Sequence, residues 1–485
     1  MAVAEQNREL ISAPRQAQSA GLALASLSLA TLLSSLGTSI ASVGLPSLMQ
    51  AFDASFQAVQ WVVLGYLLAI TTLIVGAGRL ADMFGRRPLL LGGIALFTLA
   101  SVVCGLAPTL SLLIAARALQ GLGAALMMAL TLAFVAETVS KERTGSAMGL
   151  LGAMSAIGTT LGPSLGGLLI AGLGWRAIFL VNVPLGLLTF ALAWRGLPAR
   201  GETMEAGRGT FDVTGTALLA LTLGAYALAL TLGRGNFGVL NLGLLVAAGI
   251  GVIVFAIAQA KAKAPLVQLA RFRDPRLSAG LAMSLIVATV MMATLVVAPF
   301  YLSRGLGLNA AMVGMALSTG PLVSTLSALL AGRLTDRFGA HRMMVAGLLC
   351  LATGTLLLSL ALTKLGVASY VAPITVTCFG YALFQTANNA AVMGGVGAGE
   401  RGVISGLLNL SRNLGLVTGA SLMGAVFAIA TGQGAADTTI LSPAAAAQGM
   451  QTTFEAASCM VLAALILAVL SAHFAGRIPG ASALK

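Results

Sequence analysis

Two arginines lie inside long apolar stretches of this sequence, where a charged side chain is costly. Arg117 shares one helix face with Gln120 and Gly121, and Arg412 lies beside Asn413. A charge at the centre of a membrane-spanning helix costs roughly 2.5–3.5 kcal/mol on insertion scales, so it should face a polar cavity or a partner. Arg117, Gln120 and Arg412 are therefore candidates for lining a substrate cavity or for proton coupling. The alternative for Arg117 is a side chain that extends to the nearby membrane surface.

Carboxylates, which could carry a proton, do not occur in the middle of any apolar stretch. Of the 14 Asp and Glu residues, Glu137 lies near the inner end of one stretch and Glu455 near the outer start of another. These two, together with Asp82 in a loop, are the candidate proton carriers. Asn388 and Asn389 add polar groups to a further stretch, where they either line the cavity opposite Arg117 or hydrogen-bond between helices.

A pattern of glycine, arginine and aspartate occurs twice, both times between apolar stretches. Glycine allows a tight turn, and the aspartate can cap a helix or pair with a basic group on a neighbouring helix. Such a link can break when two halves of a protein move against each other. One copy alone could be a solvated turn, but two copies in matching places favour a conformational switch. The residues are Gly78, Asp82, Gly85, Arg86 and Arg87 in the first copy, and Gly332, Asp336, Gly339 and Arg342 in the second.

A stripe of small residues marks the fifth apolar stretch. Gly158, Gly162 and Gly166 recur at every fourth position, with Pro163 and Gly167 beside them. That spacing lets a facing helix approach closely, and a proline inside a helix bends it. Packing alone explains most such stripes, whereas the added proline favours a gate between two halves of the molecule.

The elements that must position these residues follow from composition. Apolar residues make up 58% of the 485 residues and charged residues only 8%, which is too few to cover the surface of a soluble protein. The formal charge of +13 is not arranged in a basic run with aromatic residues, so no nucleic-acid partner is expected. The four cysteines lie apart, without the spacing of a metal site or a disulfide framework. The chain is predicted to be an integral membrane protein with no metal or cofactor.

Hydropathy predicts fourteen membrane-spanning helices and an all-α fold, because continuous apolar runs of about 20 residues exclude barrel strands. With both termini in the cytoplasm, 21 of the 27 Lys and Arg residues fall inside and four outside, a bias that sets the orientation. We therefore predict a multi-pass protein of the plasma membrane, and the abundance of Ala, Gly and Leu suits a bacterial inner membrane. The predicted spans are 21–46, 57–80, 88–107, 110–137, 145–173, 177–197, 213–233, 239–260, 278–302, 312–331, 343–363, 369–392, 402–429 and 451–475.

The two copies of the loop pattern predict two related six-helix bundles with pseudo-twofold symmetry, and the seventh and eighth spans are then an inserted pair. Three glycines of the fifth span, at 149, 158 and 162, recur with the same spacing at 406, 415 and 419. The predicted organisation is a cytoplasmic N-terminal tail (1–20), an N-terminal bundle (21–197), linkers with the inserted pair (198–277), a C-terminal bundle (278–475) and a cytoplasmic tail (476–485).

These segments together resemble the major facilitator superfamily, and specifically its fourteen-span drug:proton antiporter branch. Residues 78–87 are similar to the family's motif between spans two and three, and residues 117–125 to its span-four motif, which is implicated in proton transfer. Residues 158–167 are similar to the span-five motif associated with antiporters, and residues 175–184 to the branch's signature entering span six. The resemblance covers residues 20–475. It implies alternating access and multidrug efflux, with the proton gradient as the energy source.

One position departs from that branch, since Gly37 stands where its span-one motif usually carries an aspartate. The chain then has two membrane arginines and no central carboxylate. We therefore expect an electropositive cavity that exports neutral, zwitterionic or anionic amphiphiles better than lipophilic cations. If protons drive transport, the titrating group lies at the periphery, at Asp82, Glu137 or Glu455.

The expected function is secondary active export of small amphiphilic compounds, such as drugs or toxic metabolites, by a monomer in exchange for protons. A proton-coupled uptake symporter for a small metabolite is the alternative with the same fold. A non-transporting membrane sensor is the alternative from another class. We expect no enzyme activity, because the spans carry no paired acids or histidine cluster, and no phosphate-binding loop of a nucleotide-driven pump occurs in the sequence.

Overall fold

Helices are the only regular structure in the described part of the chain, in this computed structural model. Inside a bilayer the backbone N–H and C=O groups find no water, and a helix satisfies them within one segment. The apolar stretches therefore fold as long helices joined by short turns. The structure describes residues 2–74, 76–138, 144–197, 212–232, 238–262, 265–266, 269–360, 365–394, 401–432 and 441–475.

The N-terminal half begins with a long helix and ends with a span that is interrupted at Val181. Helix α9 begins just before Pro184, which has no backbone N–H with which to continue α8. The helices of this half are α1 (Ala2–Val43), α2 (Leu45–Ala51), α3 (Phe56–Ile74), α4 (Ala77–Phe84), α5 (Arg86–Leu106), α6 (Leu110–Thr138), α7 (Thr144–Leu173), α8 (Ala177–Leu180) and α9 (Asn182–Gly196).

The two helices that were predicted to be an inserted pair, α10 (Val213–Thr231) and α11 (Val239–Lys261), form a helical hairpin. Asp212 caps α10 by accepting a hydrogen bond from the backbone N–H of Gly215 at 2.7 Å. The Gln259 amide at the end of α11 donates to the same carboxylate at 2.7 Å. This shared carboxylate ties the start of α10 to the end of α11.

The C-terminal half contains two π-helical turns, at Tyr301–Gly305 and Gly419–Met423. The second turn joins α17 to α18 within a single span. Such turns inside α-helices are frequent at functional sites. The helices of this half are α12 (Pro275–Val296), α13 (Ala298–Phe300), α14 (Ala310–Phe338), α15 (Ala340–Ser359), α16 (Ala368–Met393), α17 (Arg401–Thr418), α18 (Gly424–Ala430) and α19 (Pro443–Ala475).

Thirteen helices among the described residues are long and apolar enough to cross a membrane, one fewer than predicted. The span that differs is α16, which coincides with predicted span 369–392 and is 26 residues long. Its length suffices at about 1.5 Å per residue, but Gln385, Asn388 and Asn389 make it less apolar. Helix α16 packs against α14 and α15, so little of it needs to face lipid. The count of fourteen spans stays a prediction.

The first and fifth spans make a similar contact in each half. In the N-terminal half the Ser39 hydroxyl on α1 donates to the Gly158 carbonyl on α7 at 3.3 Å. In the C-terminal half the Thr289 hydroxyl on α12 donates to the Gly415 carbonyl on α17 at 3.1 Å. A Cβ atom on Gly158 or Gly415 would lie 2.6 Å or 2.3 Å from the backbone of the facing helix. Glycine at these positions permits the close approach.

Three aromatic rings join the two halves at one end of the molecule, which we call the closed end. Phe56 of the N-terminal half packs against Phe300 and Phe427 of the C-terminal half, with ring centroids 4.8 Å and 5.1 Å away. All three rings are buried. Because successive spans alternate in direction, the turns at Gly85 and Gly339 lie at the opposite end, the loop end.

Candidate functional site

A cavity of about 530 Å³ lies between the two halves. Its walls come from α1, α3, α6 and α7 on one side and from α12, α14, α16 and α17 on the other. It extends from beneath the closed end to Gly152 and Ala328, in the part of the molecule nearer the loop end. Cavities of this size hold a drug-sized ligand.

Hydroxyl groups dominate the polar part of the N-terminal wall. Ser34, Thr38 and Thr159 donate to backbone carbonyls one turn earlier in their own helices, at 2.9, 3.0 and 2.9 Å. Ser35 and Ser155 share a hydrogen bond of 2.8 Å across α1 and α7. Because these protons are largely used within the wall, the oxygens offer mainly acceptor positions to a ligand.

The C-terminal wall carries the cavity's charge. Arg412 is the only charged residue among the described residues that line the cavity, and it is half-buried. Its guanidinium has no acceptor within the described part of the chain. Gln385 on α16 and Asn413 on α17 place side-chain amides along the same half of the cavity, again without an acceptor among the described residues. This wall therefore offers N–H donors.

Arg117 lies outside the described cavity lining, contrary to the expectation that it lines the substrate cavity. Its side chain is completely buried in the N-terminal half. Its Nε donates to the Val62 carbonyl at 2.9 Å and its two terminal nitrogens to the Gly37 carbonyl at 3.1 Å and to Gln120 Oε1 at 2.5 Å. The guanidinium carbon lies 4.1 Å from the centroid of the Tyr66 ring. The side chain also does not extend to the membrane surface, and it joins α1, α3 and α6.

The departure at Gly37 is part of this arrangement. A Cβ on Gly37 would lie 3.1 Å from the Tyr66 hydroxyl and 3.2 Å from the Phe97 ring, so a larger residue would need its neighbours to shift. The Gly37 carbonyl oxygen serves Arg117 in place of a carboxylate. Gln120, which accepts from Arg117, donates in turn to the Ser101 hydroxyl at 2.7 Å. The buried charge is thus met by carbonyl oxygens, an amide and aromatic faces.

The two asparagines on α16 lie outside the cavity lining. Asn388 is completely buried, and its Nδ2 donates to the Gly280 carbonyl on α12 at 3.1 Å. Asn389 is half-buried on the same helix. For Asn388 the structure therefore shows the helix–helix hydrogen bond, which was the alternative to lining a cavity.

No carboxylate lines the described part of the cavity. Glu455 is exposed on α19, away from the lining residues. The side chains of Asp82 and Glu137 lie outside the described residues. Each of the three stays a predicted proton carrier at the periphery.

The predicted gate residues take part in two different contacts. Gly158, Gly162 and Gly166 face α1 of their own half, where added Cβ atoms would lie 2.6, 1.9 and 2.8 Å from the nearest atoms. Gly167 instead faces the C-terminal half, because its Cβ would lie 2.3 Å from the Ala310 carbonyl oxygen on α14.

Pro163 belongs to the contact between the halves as well. A Cβ on Gly314 of α14 would lie 2.2 Å from the Pro163 carbonyl oxygen and 3.0 Å from the Cα of Gly167. The nearby Ser318 hydroxyl donates to the Thr160 carbonyl at 2.9 Å. Helices α7 and α14 thus cross backbone to backbone beside the cavity.

The two copies of the loop pattern share an unusual backbone conformation. Gly85 has φ 86° and ψ 140°, and Gly339 has φ 88° and ψ 145°. L-residues with side chains rarely adopt this conformation, so glycine is required at both turns. The preceding Gly78 lies in α4 and the equivalent Gly332 in α14.

The charged residues of the two loops are engaged differently. In the first copy a terminal nitrogen of Arg87 donates to the Trp194 carbonyl on α9 at 2.6 Å, and Arg86 is half-buried nearby. In the second copy Asp336 and Arg342 are exposed, and Asp336 makes no ion pair within the described part of the chain. In this conformation the charged side chains of Asp336 and Arg342 in the second loop therefore face solvent.

Sequence reasoning missed two parts of the site. The aromatic cluster at the closed end comes from distant segments, so no local pattern indicates it. The hydroxyl wall did have a signal, because Ser34, Ser35, Thr38 and Ser39 occupy one face of an apolar helix at helical spacing.

The sequence pattern of the Major Facilitator Superfamily matches residues 27–420, which is most of the chain. The chain belongs to this superfamily. It is 32% identical over 395 residues to the multidrug resistance protein Stp of Mycobacterium tuberculosis, covering 79% of this chain and 71% of that protein. It is 26% identical over 411 residues to the multidrug transporter MdtP of Bacillus subtilis, covering 84% and 75%. The riboflavin transporter RibZ of Clostridioides difficile is 29% identical over 385 residues, covering 79% and 83%.

Solved structures show the same superfamily fold at low sequence identity. A bacterial homologue of the human lysosomal transporter Spinster, inward-facing and occupied, gives a TM-score of 0.66 at 16% identity, covering 93% of this chain and 96% of that one. The xylose transporter XylE from E. coli, partially occluded and inward open, gives 0.61 at 14% identity, covering 92% and 98%. The predicted family and the prediction of a multi-pass membrane transporter are confirmed.

Proposed function

We propose that this superfamily member exports small amphiphilic compounds from the cytoplasm by alternating access, in exchange for protons. It acts as a monomer and uses the proton gradient rather than a cofactor. The observation that carries the proposal is the cavity between the halves, which is sealed at the closed end and extends towards the loop end. Rocking one half against the other would seal the loop end and open the closed end.

The direction of access follows from the charges of the loops. Arg86 and Arg87 at the first turn and Arg337 and Arg342 around the second lie at the loop end, and loops rich in arginine face the cytoplasm. We propose that the cavity opens to the cytoplasm in this conformation. A compound entering from that side would leave at the closed end, outside the cell. The multidrug relatives support export of this kind.

Proton coupling is the finer part of the proposal. No described residue of the cavity walls is a carboxylate, so we propose that the proton binds at one of the predicted peripheral carriers, Asp82, Glu137 or Glu455. Proton and substrate would then be coupled through the equilibrium between two conformations rather than by competition for one side chain. Replacement of each carboxylate by its amide tests the three candidates one by one.

Uptake of a metabolite is the second candidate, and the riboflavin transporter among the relatives supports it. The same cavity would then load at the closed end and release at the loop end. Direction therefore separates the two functions: in intact cells an exporter lowers, and an uptake symporter raises, the amount of compound inside.

The decisive test of export uses inside-out membrane vesicles with an acidic interior and a pH-sensitive dye. Anionic, neutral and cationic amphiphiles are added in turn, and matched vesicles without the protein are the control. Proton antiport predicts release of protons that depends on both the protein and the compound. Protein-dependent movement of a compound without any proton release would reject proton coupling, and the absence of any movement would reject export.

A further inference from the structure

We propose that Arg412, with the side-chain amides of Gln385 and Asn413, binds the anionic head of the transported amphiphile. The ligand class is a carboxylate or sulfonate attached to an apolar body. This inference rests on the proposed function, since it names the substrate of the same cavity. Binding of such a ligand can be measured without any proton gradient.

The isolation of the Arg412 charge is the first argument. No carboxylate lines the described part of the cavity, and Arg412 meets no acceptor among the described residues. Arg117, the other arginine that was predicted as a cavity candidate, is satisfied by two carbonyls and an amide inside the N-terminal half. A half-buried guanidinium is costly without a counter-charge, so a bound anion relieves this cost and a bound cation increases it.

The second argument is the separation of donors from acceptors across the cavity. On the N-terminal wall the Ser34, Thr38 and Thr159 hydroxyls already donate to backbone carbonyls, so they present acceptor oxygens. On the C-terminal wall Arg412 and Asn413 present unused N–H groups. Among the described lining residues the side-chain N–H donors therefore lie on α16 and α17, and a planar guanidinium suits a carboxylate or sulfonate.

The remaining lining explains the apolar body. Leu67, Ile70 and Met128 line the N-terminal side, and Leu295 and Leu317 line the C-terminal side. Methionine and leucine accept apolar groups of varied shape. With a cavity of about 530 Å³ there is room for a drug-sized molecule with its head at Arg412 and its body against these side chains.

The test measures binding to the purified full-length protein in lipid nanodiscs, by the fluorescence of dansyl probes. Three probes share one apolar body and carry a carboxylate, a primary carboxamide or a trimethylammonium group. The wild-type protein should bind the carboxylate roughly 10- to 100-fold more tightly than the carboxamide, because hydrogen bonds to charged groups are the stronger ones. The trimethylammonium probe should bind most weakly.

Two substitutions of Arg412 and one control identify the source of this preference. Arg412→Gln should remove the preference for the carboxylate while affinity for the carboxamide is retained, which shows that the variant is folded. Arg412→Lys should keep part of the preference, because the charge remains and the planar fork is lost. Arg304→Gln is the matched control, since Arg304 is half-buried near the closed end and does not line this cavity.

The outcomes separate this inference from the proposed function. Equal affinities of the wild-type protein for carboxylate and carboxamide would overturn it, as would a preference that survives in Arg412→Gln. Failure to bind any of the three probes would overturn it as well. Loss of proton release in vesicles, with the carboxylate preference intact in nanodiscs, would remove proton antiport and leave the anion site standing.

Discussion

Replacing Gly167 by alanine should shift the protein away from the conformation described above. The new Cβ would lie 2.3 Å from the Ala310 carbonyl oxygen, about 1 Å short of the 3.4 Å at which ordinary van der Waals contact begins. Both groups nearest to it, Ala310 and Gly314, present backbone atoms of α14, which cannot rotate away. Relief therefore requires α7 and α14 to separate, which moves one half against the other.

The expected magnitude follows from the usual cost of overpacking. An added methyl in a tight contact costs about 1–3 kcal/mol. About 1.4 kcal/mol is a tenfold change in an equilibrium constant. The ratio of the two conformations should therefore change roughly 5- to 150-fold, in favour of the conformation in which the two halves have separated at the closed end.

The assay is a distance measurement by electron paramagnetic resonance. Nitroxide labels are placed at Leu173→Cys and Leu365→Cys, which are exposed near the closed end on opposite halves, after replacement of the native cysteines. The unsubstituted protein should show mainly the short distance, and Gly167→Ala should add a longer one. Gly172→Ala is the matched control on the same helix, because nothing lies within 4 Å of its Cβ.

A second control separates a conformational shift from general damage. Gly158→Ala places a Cβ 2.6 Å from the Leu32 carbonyl oxygen within the N-terminal half, so movement of the halves does not relieve it. It should lower the melting temperature without adding the longer distance. The reasoning is refuted if Gly167→Ala shows the same distance distribution as Gly172→Ala.

Three further substitutions have defined outcomes. Phe427→Ala removes one ring of the closed-end cluster and should destabilise it by about 3–5 kcal/mol. A Thr159→Cys reporter in the cavity should then react faster with an impermeant thiol reagent supplied from outside. An unchanged rate would show that the cluster does not seal the cavity. Arg117→Lys keeps the charge but loses hydrogen bonds to fixed acceptors, so the melting temperature of the protein in detergent should fall. Arg412→Lys should leave the melting temperature unchanged. Equal effects of the two substitutions would argue against a structural role of Arg117. Asp336→Asn should slow transport without changing the melting temperature, because the side chain is exposed; unaltered transport would count against a switch.

The spans and the family could be predicted from the sequence because both depend on short stretches of consecutive residues. The length of each apolar stretch predicts a membrane-spanning helix, and the repeated loop pattern predicts the two related turns. The glycine conformations at Gly85 and Gly339 match so closely because the same local sequence folds in the same way twice. The count of spans was less secure at α16, where residues that avoid lipid lower the apolar signal.

The placement of the two arginines could not be predicted from their type. Arg117 and Arg412 look alike in sequence, since each interrupts an apolar helix beside an amide. Only the tertiary contacts separate them: Arg117 finds carbonyls on α1 and α3, while Arg412 finds none among the described residues. The glycine stripe shows the same limit, because spacing indicates a close helix contact but not which helix supplies it.

Proton-coupled export can be measured with the purified protein reconstituted in liposomes across an imposed pH gradient. The liposomes hold an acidic lumen, and accumulation of a fluorescent amphiphile and alkalinisation of the lumen are followed together. Proton-coupled export predicts that both occur together and that both stop when an ionophore collapses the pH gradient. Equal accumulation with and without the gradient, and no change in luminal pH, would rule out proton-coupled export.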